Sequence, residues 1–122
     1  MGDLRGRYAT FTERVVDRVL APAAHTASAV RRAVLNRAAR LGGRHDPAGG
    51  REVGDDLAPA LAAYVDKVAR HAHQVTDEDV AALQRAGNSD DTLFEVTVAA
   101  ALGAALGRLE RGLAALRGAG GD

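Results

Sequence analysis

The 122-residue chain is long enough for one domain with its own core. Its 16 basic and 16 acidic side chains cancel, which excludes a protein that binds polyanions through overall positive charge. The absence of cysteine excludes disulfides, zinc–thiolate sites and thiol redox catalysis. Because the apolar residues are mostly Ala, Leu and Val, with only four aromatics, we expect an all-α bundle of about five helices.

Residues 1–41 predict two N-terminal helices, over about 10–20 and 26–41. Pro22 separates them, since proline interrupts the backbone hydrogen bonding of a helix. The following stretch, 42–55, is rich in glycine and charge, which is typical of a flexible linker. The whole chain is expected to be a single helical domain.

Residues 56–117 carry the strongest helical pattern and predict the core. A third helix ends near His73. Thr76 is then the predicted N-cap of a short fourth helix, in which Asp79 stands where a capping box usually has Glu or Gln. Gly87 predicts the end of that helix.

The fifth and longest helix is predicted to begin after Ser89 and to reach about Arg117, followed by a disordered tail over 118–122. It is apolar on two sides, more than one short chain can cover, so the pattern predicts a homo-oligomer. The side expected to face the chain's own core contains Phe94, Val98, Ala101, Leu102, Ala105, Leu109, Leu113 and Leu116. The side expected to contact another copy contains Val96, Ala99, Ala100, Gly103 and Gly107.

A few polar residues lie beside these apolar faces and are candidates for acid–base catalysis. Tyr64, Lys67 and His71 are spaced along one edge of the third helix, and Glu95 falls within the stripe of the fifth. The alternative is structural: a polar border on the third helix, and a carboxylate that reaches solvent from the first turns of the fifth. His71 and His73 point in different directions on a regular helix, so no metal site and no cofactor are predicted.

The second predicted helix is rich in arginine, and residues 1–55 carry 10 basic against 6 acidic side chains. Nucleic-acid binding is the weaker hypothesis here, because the cations surround the helix and aromatics for base stacking are missing. A solvated face, or docking on the acidic second half of a neighbouring subunit, is the alternative. The arginines are Arg31, Arg32, Arg37, Arg40 and Arg44.

The sequence favours a cytoplasmic protein that does not enter the membrane. The N-terminus lacks the apolar run of a signal peptide. The longest apolar run, 98–107, is about half of the ~20 residues that a membrane helix needs.

Residues 64–116 resemble the C-terminal part of the alkylhydroperoxidase D-like, or carboxymuconolactone decarboxylase-like, superfamily. The similar segments are VTDEDVAALQRAG at 75–87, SDDTLFEVTVAAAL at 89–102 and RL at 108–109. The resemblance implies an all-helical fold that assembles into trimers or hexamers. In active members a Cys-x-x-Cys, a following His and an upstream Glu form the redox centre, and none of that motif can be carried over to this chain.

These observations favour a non-redox, homo-oligomeric helical protein with an interaction or scaffold role. The alternative is a non-thiol, decarboxylase-like enzyme that uses Glu95, His71, Lys67 and Tyr64. A regulatory or nucleic-acid-associated module is the third hypothesis.

Overall fold

The computed structural model describes residues 4–21, 26–43 and 57–120, and within these ranges the fold is all-α, as predicted. It contains five α-helices and one short 3₁₀ turn, and the described residues form no strands. The helices are α1 (Leu4–Val19), α2 (Ser28–Gly42), α3 (Pro59–His71), α4 (Asp77–Arg85) and α5 (Asp90–Gly120), with the 3₁₀ turn Ala72–Gln74 after α3.

The first and the last helix are longer than predicted. α1 begins at Leu4, six residues before the predicted start at position 10. α5 continues to Gly120, so the predicted disordered tail is wrong for 118–120, while 121–122 lie outside the described residues. The Ala, Leu and Arg residues that precede this end are strong helix formers, which explains the extension.

The predicted linker begins later than expected. Gly42 is the last residue of α2, and Gly43 is its C-cap, with a φ of 124° that favours glycine. The remainder of the predicted linker, 44–55, lies outside the described residues.

The core forms where α2, α3 and α5 meet. Each of these helices contributes one fully buried valine, Val34, Val65 and Val96. Burying each side chain stabilises the fold by about 1.5–3 kcal/mol relative to leaving it exposed. The N-terminal part of the chain therefore packs, through α2, on the helices of the second half.

The contact between α2 and α5 is the most extensive helix pair, and it is a very close one. A Cβ atom added to Gly103 would lie within 3.0 Å of the carbonyl oxygen of Leu35, and one added to Gly107 would meet that of Ala39. Gly42 of α2 faces α5 in the same way. The two backbones are in contact because these positions carry no side chain.

The short α4 is attached to α3 through one carboxylate. Thr76 Oγ1 accepts from the Asp79 N–H at 3.2 Å and Asp79 accepts from the Thr76 N–H at 2.9 Å, so the capping box is complete with Asp. The Asp79 carboxylate also pairs with Lys67 of α3 at 2.8 Å. Hydrogen bonds from Lys67 and from the Thr76 backbone hold the pKa of Asp79 below its usual value. Gly87 ends this segment with a φ of 102°, as predicted.

We expect Gly103→Ala to lower the free energy of unfolding by about 1–3 kcal/mol, because the added methyl group would push α2 away from α5. Gly112→Ala and Gly118→Ala are matched controls, since an added Cβ meets nothing within 4 Å at either position. Gly112→Ala should stabilise the helix by about 0.5–1 kcal/mol. Urea unfolding followed by circular dichroism measures all three, and equal effects of the three variants would contradict the close crossing.

We expect Asp79→Asn to destabilise the protein at neutral pH by removing the Lys67 ion pair and weakening the cap. Since the folded pKa of Asp79 is depressed, its contribution is present above the unfolded pKa of ~3.9 and is lost as the pH falls through the folded pKa. The stability difference between wild type and variant should therefore shrink below about pH 4. Asp77→Asn, in the same first turn, is the control for a general charge effect.

Candidate interaction surface

Tyr64, the first of the four candidate catalytic residues, is buried and hydrogen-bonded within the core. Its hydroxyl lies 2.7 Å from Thr97 Oγ1, and Thr97 in turn donates to the carbonyl of Leu93 at 2.7 Å. Because the Thr97 proton is used in that bond, Tyr64 is the donor in the first one. This arrangement joins α3 to α5 and commits the Tyr64 proton to a structural bond.

The other three candidates have partners in different parts of the molecule. Lys67 pairs with Asp79, and Glu95 accepts a hydrogen bond from the backbone N–H of Thr26 at 2.7 Å. His71 is exposed at the end of α3, with its ring edge-on to His73 and the ring centroids 6.2 Å apart. The structure gives these side chains local packing roles and does not bring the four together as one catalytic group.

The arginine-rich helix is not a uniform solvated face. Arg31 is only 2% exposed, and its guanidinium donates to the carbonyl oxygens of Thr26 (3.0 Å), Val19 and Ala21. These bonds tie the end of α1 and the start of α2 together around one buried cation. The expectation of a solvated or nucleic-acid-facing side chain is therefore wrong for Arg31.

Arg37 also has a packing role. It forms a two-bonded pair with Asp66 of α3, at 2.5 and 2.9 Å, which joins α2 to α3. A bidentate guanidinium–carboxylate pair fixes orientation as well as charge. Arg44 lies outside the described residues.

The two apolar sides of α5 have exchanged places relative to the prediction: the side expected on the surface is buried, and most of the side expected in the core is exposed. The side predicted to contact another copy is buried inside the chain, against α2 and the core. Its small side chains allow α2 to approach closely, and close packing outweighs the larger hydrophobicity of the opposite side. These buried residues are Val96, Ala99, Ala100, Gly103 and Gly107.

Most of the side predicted to face the core is exposed instead. We define the α5 stripe as the six exposed members of that side together with the neighbouring exposed Gly112: Phe94, Val98, Ala101, Ala105, Leu109, Gly112 and Leu116. They fall within an arc of about 80° and extend ~33 Å along the helix. Phe94 is 70% and Leu116 is 62% exposed, values typical of side chains without a partner in the same chain. A continuous apolar stripe of this kind is a candidate interaction surface.

One end of the α5 stripe borders a pocket of about 270 Å³ between α1, α2 and α5. The surface of its wall is mostly apolar, although three charged residues, Arg18, Arg31 and Glu95, also line it. The residues that line it are Arg18, Val19, Ala21, Arg31, Phe94, Glu95 and Val98. Phe94 and Val98 belong to both the pocket and the stripe.

A membrane-spanning segment and a metal site are the two other kinds of functional feature that the described part of the chain could contain. By length and composition alone, the segment Asp90–Gly118 of α5 could cross a membrane, and 44% of its most apolar window is buried inside the protein; one such helix is weak evidence for a membrane span. In the same ranges, no group of three or more His, Asp or Glu side chains is arranged to hold a metal ion.

Comparisons with known protein families, with curated proteins and with solved structures found no match to this chain. The resemblance of residues 64–116 to the alkylhydroperoxidase D-like superfamily stays a prediction. Function is therefore inferred from the surface of α5.

We expect Arg31→Lys to destabilise the protein by about 3 kcal/mol, because a compact ammonium cannot satisfy three carbonyl groups in a planar fork. Arg32→Lys is the matched control on an exposed position of the same helix. Urea unfolding gives the comparison, and similar stabilities for the two variants would show that the buried guanidinium does not hold α1 to α2.

Proposed function

We propose that this chain is a non-redox, homo-oligomeric helical protein with an interaction or scaffold role, and that the α5 stripe is its contact surface. The single observation that carries the proposal is the exposure of all seven positions of the apolar α5 stripe, on a helix whose opposite side packs against α2 and the core from Val96 to Gly107. Thiol chemistry is excluded by composition, and the separate partners of the four candidate catalytic residues give no support to the decarboxylase-like alternative.

The energetics favour covering this surface. Full burial of an exposed side chain contributes about 1.5–3 kcal/mol, and Phe94, Leu109 and Leu116, which are 70%, 42% and 62% exposed, would each gain the corresponding fraction. A stripe ~33 Å long and ~10 Å wide is small for a protein interface, where a standard partner buries ~800 Å². We therefore expect reversible association with a micromolar dissociation constant rather than an obligate complex.

A membrane surface is a poorer fit to the same stripe. Three of its seven positions, Ala101, Ala105 and Gly112, give little apolar area to a lipid phase but allow close approach of another helix. We accordingly place the protein in the cytoplasm and assign a protein partner to the stripe.

We expect Leu109→Glu to abolish self-association at concentrations up to about 100 µM, because it places a carboxylate in the middle of the apolar contact. Ala114→Glu is the matched control: it adds the same charge at an exposed position on the opposite side of α5. Size-exclusion chromatography with light scattering, over about 1–100 µM, measures the mass of wild type and both variants.

Wild type should increase in mass with concentration, as should Ala114→Glu, while Leu109→Glu stays at the monomer mass. A wild-type protein that remains monomeric over the whole range would overturn the proposal.

A further inference from the structure

We infer that two copies of this chain pair their α5 stripes in an antiparallel orientation, with Ala105 at the two-fold axis and each Leu116 entering the pocket of the other copy. This inference rests on the proposed function, because it names the partner and the geometry of the same surface. It follows from three independent features: the order of large and small residues, the distribution of charge along α5, and the position of the pocket.

The order of side-chain sizes is the first feature. We place the two stripes side by side in opposite directions, so that the sequence numbers of any two facing residues add to 210. In this register large residues face small ones in the central layers. The facing pairs are Phe94 with Leu116, Val98 with Gly112, Ala101 with Leu109, and Ala105 with its own copy.

A parallel pair in the same register fits poorly. Leu109 would then face Leu109 and Phe94 would face Phe94, which would hold the helices apart, while Gly112 would face Gly112 across a void. Interfaces pack to the density of protein interiors, so alternating wide and empty layers are unfavourable. In the antiparallel arrangement the combined volume of the two facing side chains varies less from layer to layer than in the parallel one.

The charge along α5 is the second feature. Its first turn carries Asp90 and Asp91, and its last turns carry Arg111 and Arg117. An antiparallel pair places the acidic end of one helix beside the basic end of the other, and it also aligns the two helix dipoles favourably. A parallel pair would place like charges together at both ends.

The pocket is the third feature. In the antiparallel register Leu116 of one copy lies level with Phe94 of the other, and Phe94 and Val98 form one wall of the pocket. Helical angle places Leu116 on the same side of its stripe as Val98, the side on which Glu95 and the pocket lie. The volume of about 270 Å³ is larger than a leucine side chain, and the lining is mainly apolar.

Disulfide trapping tests the orientation directly, because the chain has no cysteine of its own. Four single variants are made at exposed positions: Phe94→Cys, Ala105→Cys, Leu116→Cys, and Ala114→Cys as the control away from the stripe. Each is oxidised alone, and Phe94→Cys is also oxidised in a mixture with Leu116→Cys. Intact mass spectrometry then identifies which chains are joined.

For the antiparallel dimer we expect Ala105→Cys, oxidised alone, to form a disulfide between two copies. We also expect a mixed disulfide between Phe94→Cys and Leu116→Cys, which should form at least tenfold faster than the disulfide of either variant with itself. Self-links at Phe94→Cys and Leu116→Cys without mixed product would overturn the antiparallel inference and leave the proposed self-association intact. If Ala105→Cys links no faster than Ala114→Cys and the wild type is monomeric by light scattering, the proposed function fails as well.

A second comparison uses affinity. Gly112→Leu should raise the dimer dissociation constant by at least tenfold, because the new side chain meets Val98 of the other copy, whereas in a parallel pair it would fill the void at this layer. The single chain accepts the change, since an added Cβ at Gly112 meets nothing within 4 Å. Leu116→Ala should weaken the dimer roughly 30-fold through loss of two pocket contacts. Tighter association of Gly112→Leu would contradict the antiparallel register.

Discussion

The contact of α2 with the glycine side of α5 is the constraint on which the rest of the structure depends. Gly103 and Gly107 bring the α5 backbone against the carbonyl oxygens of Leu35 and Ala39, so the pair is held by many short contacts instead of a few large side chains. Dispersion is strong at such distances because nearly every surface atom has a neighbour. Once α2 is in place, its Val34 completes the core with α3 and α5.

This choice of side determines what is left on the surface. Only one side of α5 can face α2, and this side contains the smallest residues of the helix. The larger residues, from Phe94 to Leu116, must then point outward, although their transfer from water would release more free energy per side chain. These exposed residues lie on the side of α5 opposite the α2 contact, so the self-association that we propose would leave that contact in place.

Much of the fold could be predicted from the sequence, since helix period and caps are local signals. The all-α class, the caps at Thr76 and Ser89 and the stop at Gly87 follow from residues within one or two turns. The two sides of α5 could not be distinguished in this way, because hydrophobicity ranks Leu109 above Gly103, while the decision depends on how closely α2 can approach. Nor could local spacing show that Arg31, one of several arginines on α2, would be the buried one, because its acceptors lie on another segment.

The partners of the candidate catalytic residues could not be predicted from local spacing either, and these partners are the reason that we propose an interaction role. Tyr64 and Lys67 are correctly spaced along one edge of α3, yet each is satisfied by a different neighbour, Thr97 for the first and Asp79 for the second. A polar group whose donors and acceptors are already paired in the resting fold must lose a hydrogen bond before it can act on a substrate, at a cost of about 1–3 kcal/mol. The α5 stripe has no such cost, because its side chains gain packing and lose only contact with water. Of the five large hydrophobic side chains that are exposed in the described residues, four lie on the outer side of α5, and it is there that we propose the second copy binds.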